Sequence, residues 1–479
     1  MRSFVSLLAL LSIISQSVAV PAAIAQPSIK DATKIIEERQ ILTNLLPGLL
    51  PGVVSIVKGL LADVNVAVAE GKPQEVLNIL QKLQPTARPT KIQDAVAAHA
   101  KIWATPTTRT DFFAAVATQI ADGLVLDQTL QAALNGGLPV GENTIKNNNP
   151  DSASSIYPKK DATDAPYTLS ESALRQAIFI PPSFTYGAKR PVIFVPGTAS
   201  YGGTNFASNL RKLLTGKDFA DPVWLNIPGA MLSDTQTNAE YIAYAINYIS
   251  AISRQNQQNI AVITWSQGGL DTQWVLKHWP STRQVVKDFL PVSADFKGTV
   301  FANALCLTPN SDVSLLPCSA AVVQQQATSD YIRSLRTNGG DSAYVPTTSF
   351  YSGFFDEVVE PQQGTLASAY MNDARNVGVT NIEVQRVCTG QPAGSFYGHA
   401  SLLSNPLTYA LIVDALQQDG PGDLSRIDLK RVCSTFATPG LDLDDVLATI
   451  GLIPVAGALL LLDLSTKTFV EPPLRAYAM

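Results

Sequence analysis

The run Thr264-Trp265-Ser266-Gln267-Gly268-Gly269 sets a serine directly after the β-branched stretch Ile260-Ala261-Val262-Ile263. Beyond it, Leu270, Trp274, Val275 and Leu276 recur at helical spacing. A serine at such a strand-to-helix turn is pushed out over the sheet edge, and the next N–H points at the same spot. This is where a nucleophile for acyl transfer belongs. The pattern departs from Gly-x-Ser-x-Gly in its first position, which is Thr264, while Gly268 and Gly269 keep the small residues that close helix–strand approach needs. An ordinary turn serine fits the same residues, so the reading depends on partners.

A serine nucleophile needs a base. The chain holds three histidines. At strand–turn–helix sites of this kind the partners follow in the order serine, acid, histidine. His99 lies far upstream, and His278 sits near the end of the helix that the serine begins, pointing away from the strand ends. His399 remains, in the loop-like stretch Gly394-Ser395-Phe396-Tyr397-Gly398-His399-Ala400-Ser401. The acid is expected past a strand end between the two. Asp356 follows the strand-like Ser349-Phe350-Tyr351-Ser352 and is flanked by Phe355 and Val358, so it can be partly buried and still orient an imidazole. Glu357 and Glu360 read as solvated neighbours. Asp295 is a rival carboxylate, either supporting the site or salt-bridged to a nearby Lys or Arg.

Developing negative charge on the substrate needs donors held in advance, each typically worth about 10²–10³ in rate. The N–H of Gln267, next to the serine, is one. Thr198 offers the other, in a loop that follows the apolar run Pro191-Val192-Ile193-Phe194-Val195 and is broken by Pro196-Gly197.

The segments Val195-Pro196-Gly197-Thr198, Thr264 to Leu270, Ala294-Asp295-Phe296-Lys297-Gly298-Thr299-Val300, Phe355-Asp356-Glu357-Val358-Val359 and Gly398-His399-Ala400 together resemble the family of Candida antarctica lipase B and its fungal relatives. The likeness runs from about Asp164 to the C-terminus. It implies Ser266 as nucleophile, His399 as general base and Asp356 as its orienter, with Thr198 and Gln267 forming the oxyanion hole. It implies Asp295 as a buried acid near the acyl side and Trp265 as the floor of a tight pocket for the alcohol part of an ester. Val358 and Val359 join that pocket. Cys388 and Cys433 match a cystine of the family, while Cys306 and Cys318 pair by default. The residue before His399 departs from the family pattern: it is Gly398, where the family has an acidic residue.

The elements around these residues set the frame. Met1-Arg2, an apolar run from Phe4 to Ile14 and small-x-small sites near Ala19 and Ala25 read as a leader over residues 1–25, hence a secreted protein. Four cysteines suit an oxidising compartment. A formal charge of −5 without a basic run argues against nucleic acid as a partner. No Cys/His spacing suggests a metal, and no cofactor is expected. Residues 26–145 carry helical periodicity punctuated by Pro47, Pro51, Pro85 and Pro89, and form either a cap or a pro-segment. Residues 146–163 read as a linker, with Lys159-Lys160 either a processing site or simply solvated. Residues 164–479 form the catalytic domain.

Val446 to Leu462 is free of charge, interrupted by Pro454 and too short for a typical membrane span. It reads either as a buried core helix or, by resemblance, as a movable helix with Ile453, Val455 and Leu459 facing substrate. The whole points to an α/β-hydrolase fold, a mostly parallel sheet flanked by helices, with an added N-terminal helical region. The expected activity is hydrolysis of carboxylic esters, triacylglycerols foremost, by a Ser-His-Asp acyl-enzyme route at a lipid–water interface. The expected protein is a monomer without a transmembrane anchor. The alternatives are a carboxylesterase or acyltransferase on smaller soluble esters, and a non-catalytic lipid-binding relative, which would require a broken triad.

Overall fold

Short β-branched runs that are apolar on both faces can form strands only where helices cover both sides of a sheet. Five such runs make the centre of this protein. The computed structural model describes residues 63–64, 66–68, 72–85, 88–103, 109–134, 141–152, 154–253, 259–306 and 317–479. The leader at residues 1–25 and the periodic stretch Ile35 to Leu61 lie outside the described residues.

A seven-stranded sheet is built from β1 (Ile178–Phe179), β2 (Pro191–Val195), β3 (Asp221–Leu225), β4 (Ile260–Trp265), β5 (Val286–Val292), β6 (Thr347–Tyr351) and β7 (Val379–Glu383), in the order β1-β3-β2-β4-β5-β6-β7. Only β1 pairs antiparallel; the other five pairings are parallel. The period of two sorts side chains cleanly between two cores. Val192, Phe194, Ala261 and Ile263 face one core, and Ile193, Val195, Ile260 and Val262 the other.

On the second face lie helices α5 (Thr235–Ile252) and α6 (Gln267–His278), with Ile242, Ile246, Leu270 and Trp274 buried against the strands. The first face carries α7 (Pro406–Gln417), whose start is set by Asn405 accepting from the N–H groups of Leu407 and Thr408 and by proline at the first helical position. Leu407 and Leu411 pack there.

Four N-terminal helices, α1 (Pro73–Lys82), α2 (Ile92–Ile102), α3 (Arg109–Ala121) and α4 (Asp127–Leu134), do not touch water with their apolar faces. They pack on a C-terminal pair, α8 (Leu443–Ile450) and α9 (Leu452–Leu462). A capping box of Asp442 and Asp445 starts α8, and the chain turns at Gly451 before Pro454 occupies the first turn of α9. The apolar stretch Val446–Leu462 is thus two helices rather than one. By length and composition residues 443–462 pass for a membrane span, yet 78% of that window is buried inside the protein. Phe112, Phe113, Val116 and Ile120 cover Ile453, Val455 and Ala458 in one core. Gln119, fully buried, donates to the Ile450 carbonyl at 3.0 Å and accepts from the Trp103 indole at 2.9 Å.

The stretch read as a linker is fastened to the sheet. The indole of Trp224 and the amide of Asn226 both donate to Glu142 O, Asn149 donates to Ile178 O, and Tyr248 Oη donates to Pro150 O. Lys160 reaches Asn247 at 3.2 Å, with Lys159 exposed beside it. Both cysteine pairs, Cys306–Cys318 and Cys388–Cys433, are disulfides.

Candidate active site

Ser266 stands between β4 and α6 with φ 54° and ψ −131°, a conformation that a non-glycine residue holds only when its surroundings impose it. The Ser266 N–H is tied to Val292 O, and any Cβ at Gly268 would lie 2.5 Å from Pro196 O. The helix therefore approaches the neighbouring loop as closely as glycine permits, and Oγ is turned toward a cavity.

His399 and Asp356 meet at the same place. Nδ1 of His399 lies 3.0 Å from both carboxylate oxygens of Asp356, and both side chains are buried. Asp356 Oδ1 also accepts from the N–H groups of Val358 and Val359, which fixes the carboxylate before the imidazole arrives. The His399 backbone is held on both sides: its N–H donates to Glu357 Oε2 at 2.7 Å, and its carbonyl accepts from the Trp265 indole and Ser293 Oγ. Burial disfavours the imidazolium, but Asp356, joined by Glu357 and Asp295, overrides it and lifts His399 above the usual histidine range. Nε2 of His399 is buried and makes no hydrogen bond among the described residues. It lines the cavity together with Ser266.

Thr198 and Gln267 are adjacent. Thr198 Oγ1 lies 2.8 Å from Gln267 Oε1 and 3.1 Å from Gln325 Oε1, and Gln267 Nε2 donates to Met231 O and Asp271. Gln267 opens α6, where the first N–H groups have no partner within the helix. Gln325 lines the cavity and braces this pair; nothing in its sequence surroundings marks it.

The acidic neighbours differ from their sequence reading. Glu357 and Glu360 are not solvated: both are buried. The loop folds inward because Asp356 gathers its N–H groups, and this carries Glu357 beneath the His399 backbone. Burial, with Asp356 alongside, pushes Glu357 up to about 7. Among the described residues Asp295 has no Lys or Arg partner and neither of its buried oxygens makes a hydrogen bond; burial pushes it up to about 7 although His399 draws it down. Lys297 instead donates to Thr365 O. His99, set aside as too far upstream, lies 3.6 Å from Glu357 Oε1. His278 is half-buried against Trp274 and Tyr477, away from the site, and desolvation pushes it down to about 3.

The cavity measures about 60 Å³. Trp265, Val358 and Ile453 line it, as does Phe112 from the N-terminal helices. Val359, Val455, Leu459 and Asp295 do not. On α9 it is Ile453, Ala456 and Leu460 that face the cavity, one helical stripe, and Val455 turns into the packing with the N-terminal helices.

A parallel sheet carrying a serine on its strained turn, a histidine–aspartate pair and an apolar cavity is the arrangement of an α/β-hydrolase acting on esters. Two relatives agree. Lipase B of Pseudozyma antarctica is 34% identical over 283 residues, 57% of this chain and 75% of the relative. The crystal structure of Aspergillus fumigatus lipase B is 44% identical, with a TM-score of 0.76, covering 88% of this chain and 100% of that one. No family model matches the chain. The chain belongs to the lipase B family and is a carboxylic ester hydrolase of the lipase/esterase class.

Proposed function

We propose that the protein is a secreted lipase that cleaves carboxylic esters, triacylglycerols among them, by two-step acyl transfer. The observation that carries this reading is the His399–Asp356 pair at 3.0 Å beside a serine with φ 54°, all at one apolar cavity. Ser266 Oγ attacks the ester carbonyl while His399 Nε2 takes its proton. Asp356 holds the ring with Nδ1–H toward itself, so Nε2 is the acceptor, and it balances the imidazolium that forms. The carbonyl oxygen becomes an oxyanion facing the Gln267 N–H and Thr198. On collapse the alcohol leaves with the proton from His399, and the acyl group stays on Ser266. Water then attacks, giving its proton to His399, which returns it to Ser266 Oγ as the acid departs.

Residues 73–134 act in this reading as a retained cap. Phe112 from α3 and Ile453, Ala456 and Leu460 from α9 line the same cavity as Ser266, so the cap and α9 border the way in for substrate. Retention is supported by the Aspergillus fumigatus match, whose 88% coverage exceeds what residues 164–479 alone supply. The two disulfides suit secretion, and the apolar walls suit a lipid–water interface. The protein is expected to act as a monomer.

Hydrolysis of nitrophenyl esters and emulsified triacylglycerols across acyl lengths tests the activity. Cleavage of short soluble esters alone would replace lipase by esterase. N-terminal sequencing of the secreted protein tests the cap: a start near residue 161 would make the helices a pro-segment.

A further inference from the structure

The cap reaches the catalytic histidine through a second histidine. His99 lies on α2, its side chain 1% exposed, with its ring centroid 6.2 Å from that of Trp103. Its Nε2 is 3.6 Å from Glu357 Oε1, an ion-pair separation longer than a hydrogen bond; that oxygen accepts no hydrogen bond among the described residues and belongs to a fully buried side chain. The other oxygen of the same carboxyl accepts the His399 N–H at 2.7 Å. One carboxyl thus connects an N-terminal helix to the backbone of the general base.

Gly398 explains why the connection exists. A Cβ at this position would stand 2.5 Å from His99 Cε1 and 2.5 Å from Glu357 Oε2. Any side chain before His399, including the acidic one of the resembled family, would drive the imidazole of His99 out. Here the glycine leaves that space, and a side chain from a distant segment fills it. The need is electrostatic as well as steric. Glu357 and Asp295 are buried beside His399, and among the described residues neither makes a salt bridge to a Lys or Arg; a buried carboxyl oxygen is stabilised by a polar group that packs against it.

We propose that His99 is a positioning residue of the acyl-transfer machinery: its imidazole holds Glu357 in the rotamer that keeps the His399 N–H, so the cap helps set the general base as well as cover the site. The proposal rests on the assignment of His399 as that base. Misplacement of a base by a fraction of an ångström lowers turnover without weakening substrate binding.

Two amides of different reach test it in the full-length secreted protein. His99→Gln places an N–H donor near the original Nε2 position, and His99→Asn falls short of Glu357. On a soluble short-chain nitrophenyl ester, His99→Asn should lower kcat about tenfold with KM within about twofold. His99→Gln should recover most of that loss. Glu357→Gln should cost about as much as His99→Asn, and the double variant no more than the worse single one, because both act on one link. Unchanged kcat in His99→Asn, a loss confined to KM, or losses that multiply in the double variant would each overturn the proposal. So would failure of both amide variants to fold, which would make His99 a packing residue only. His399→Ala is measured alongside: if it kept activity, the assignment of the base would fall, whatever the His99 variants did.

Discussion

The sheet and the cap are held together by different kinds of contact. In the sheet, four residues of the candidate site sit within a few residues of a strand whose ladder fixes the backbone, Thr198 after β2, Ser266 after β4, Asp295 after β5 and Asp356 after β6, while His399 stands on a longer loop after β7. In the cap, the decisive contacts join distant segments: Gln119 with Ile450, 331 residues apart, His99 with Glu357, and Phe112 with the cavity. Along the sheet the candidate residues are placed by local chain geometry; in the N-terminal helices the contacts depend on which helix packs over which.

The largest expected effect lies on the sheet side. Ser266→Ala or His399→Ala should lower nitrophenyl-ester hydrolysis by about 10⁶-fold with an unchanged circular dichroism spectrum. Retained turnover in either would remove the acyl-enzyme reading.

Next comes the contrast between two buried acids. Asp356→Asn should cost about 10⁴ in kcat, since the imidazole loses both its orientation and its counter-charge. Asp295→Asn should stay within about tenfold, having no contact with the ring. It should still move the acid limb of kcat/KM to lower pH. The sign follows from its charge: burial opposes the imidazolium, and Asp295 is among the carboxyls that lift His399, so removing it lets His399 lose its proton at lower pH. A pH–rate profile over acidic to neutral pH reads this, and a limb moving upward would contradict the arrangement. If Asp295→Asn proved the more damaging of the two, the orienting acid would be misassigned.

A third prediction concerns the loop that carries His399. Cys388–Cys433 spans 45 residues around it, worth about 4 kcal/mol in the chain-entropy account. Replacing both by serine should lower unfolding free energy by about that amount in urea, with turnover at low temperature largely kept. An unaltered midpoint would show that packing alone holds the loop.

The smallest effect belongs to the cap. Gln119→Ala cuts the bond from α3 to the end of α8 and leaves the Trp103 indole without its acceptor, at a cost of about 1–3 kcal/mol. The closed state should weaken, and the rate on long or bulky esters should rise relative to short ones. Identical ratios in wild type and variant would mean that the helices do not gate the site.

The strand runs and the residues Ser266, Asp356 and His399 could be picked out of the chain by local pattern and order, whereas the pairing of Cys388 with Cys433 came from the family resemblance. Glu357 could not be picked out in that way. A carboxylate next to a catalytic aspartate looks solvated until the loop turns inward, and its burial depends on His99 and Gly398 arriving from elsewhere. On α9 Ile453, Ala456 and Leu460 line the cavity, a stripe of helical spacing that the resemblance marked only at Ile453.

Residue type and local periodicity were therefore enough to pick out the candidate residues, since a strand end, a turn and a helix start confine a side chain to a small volume. They were not enough to state how the site is closed. Closure is made by apolar faces that pack equally well in several registers, and which register is adopted depends on the shape of surfaces brought together from opposite ends of the chain.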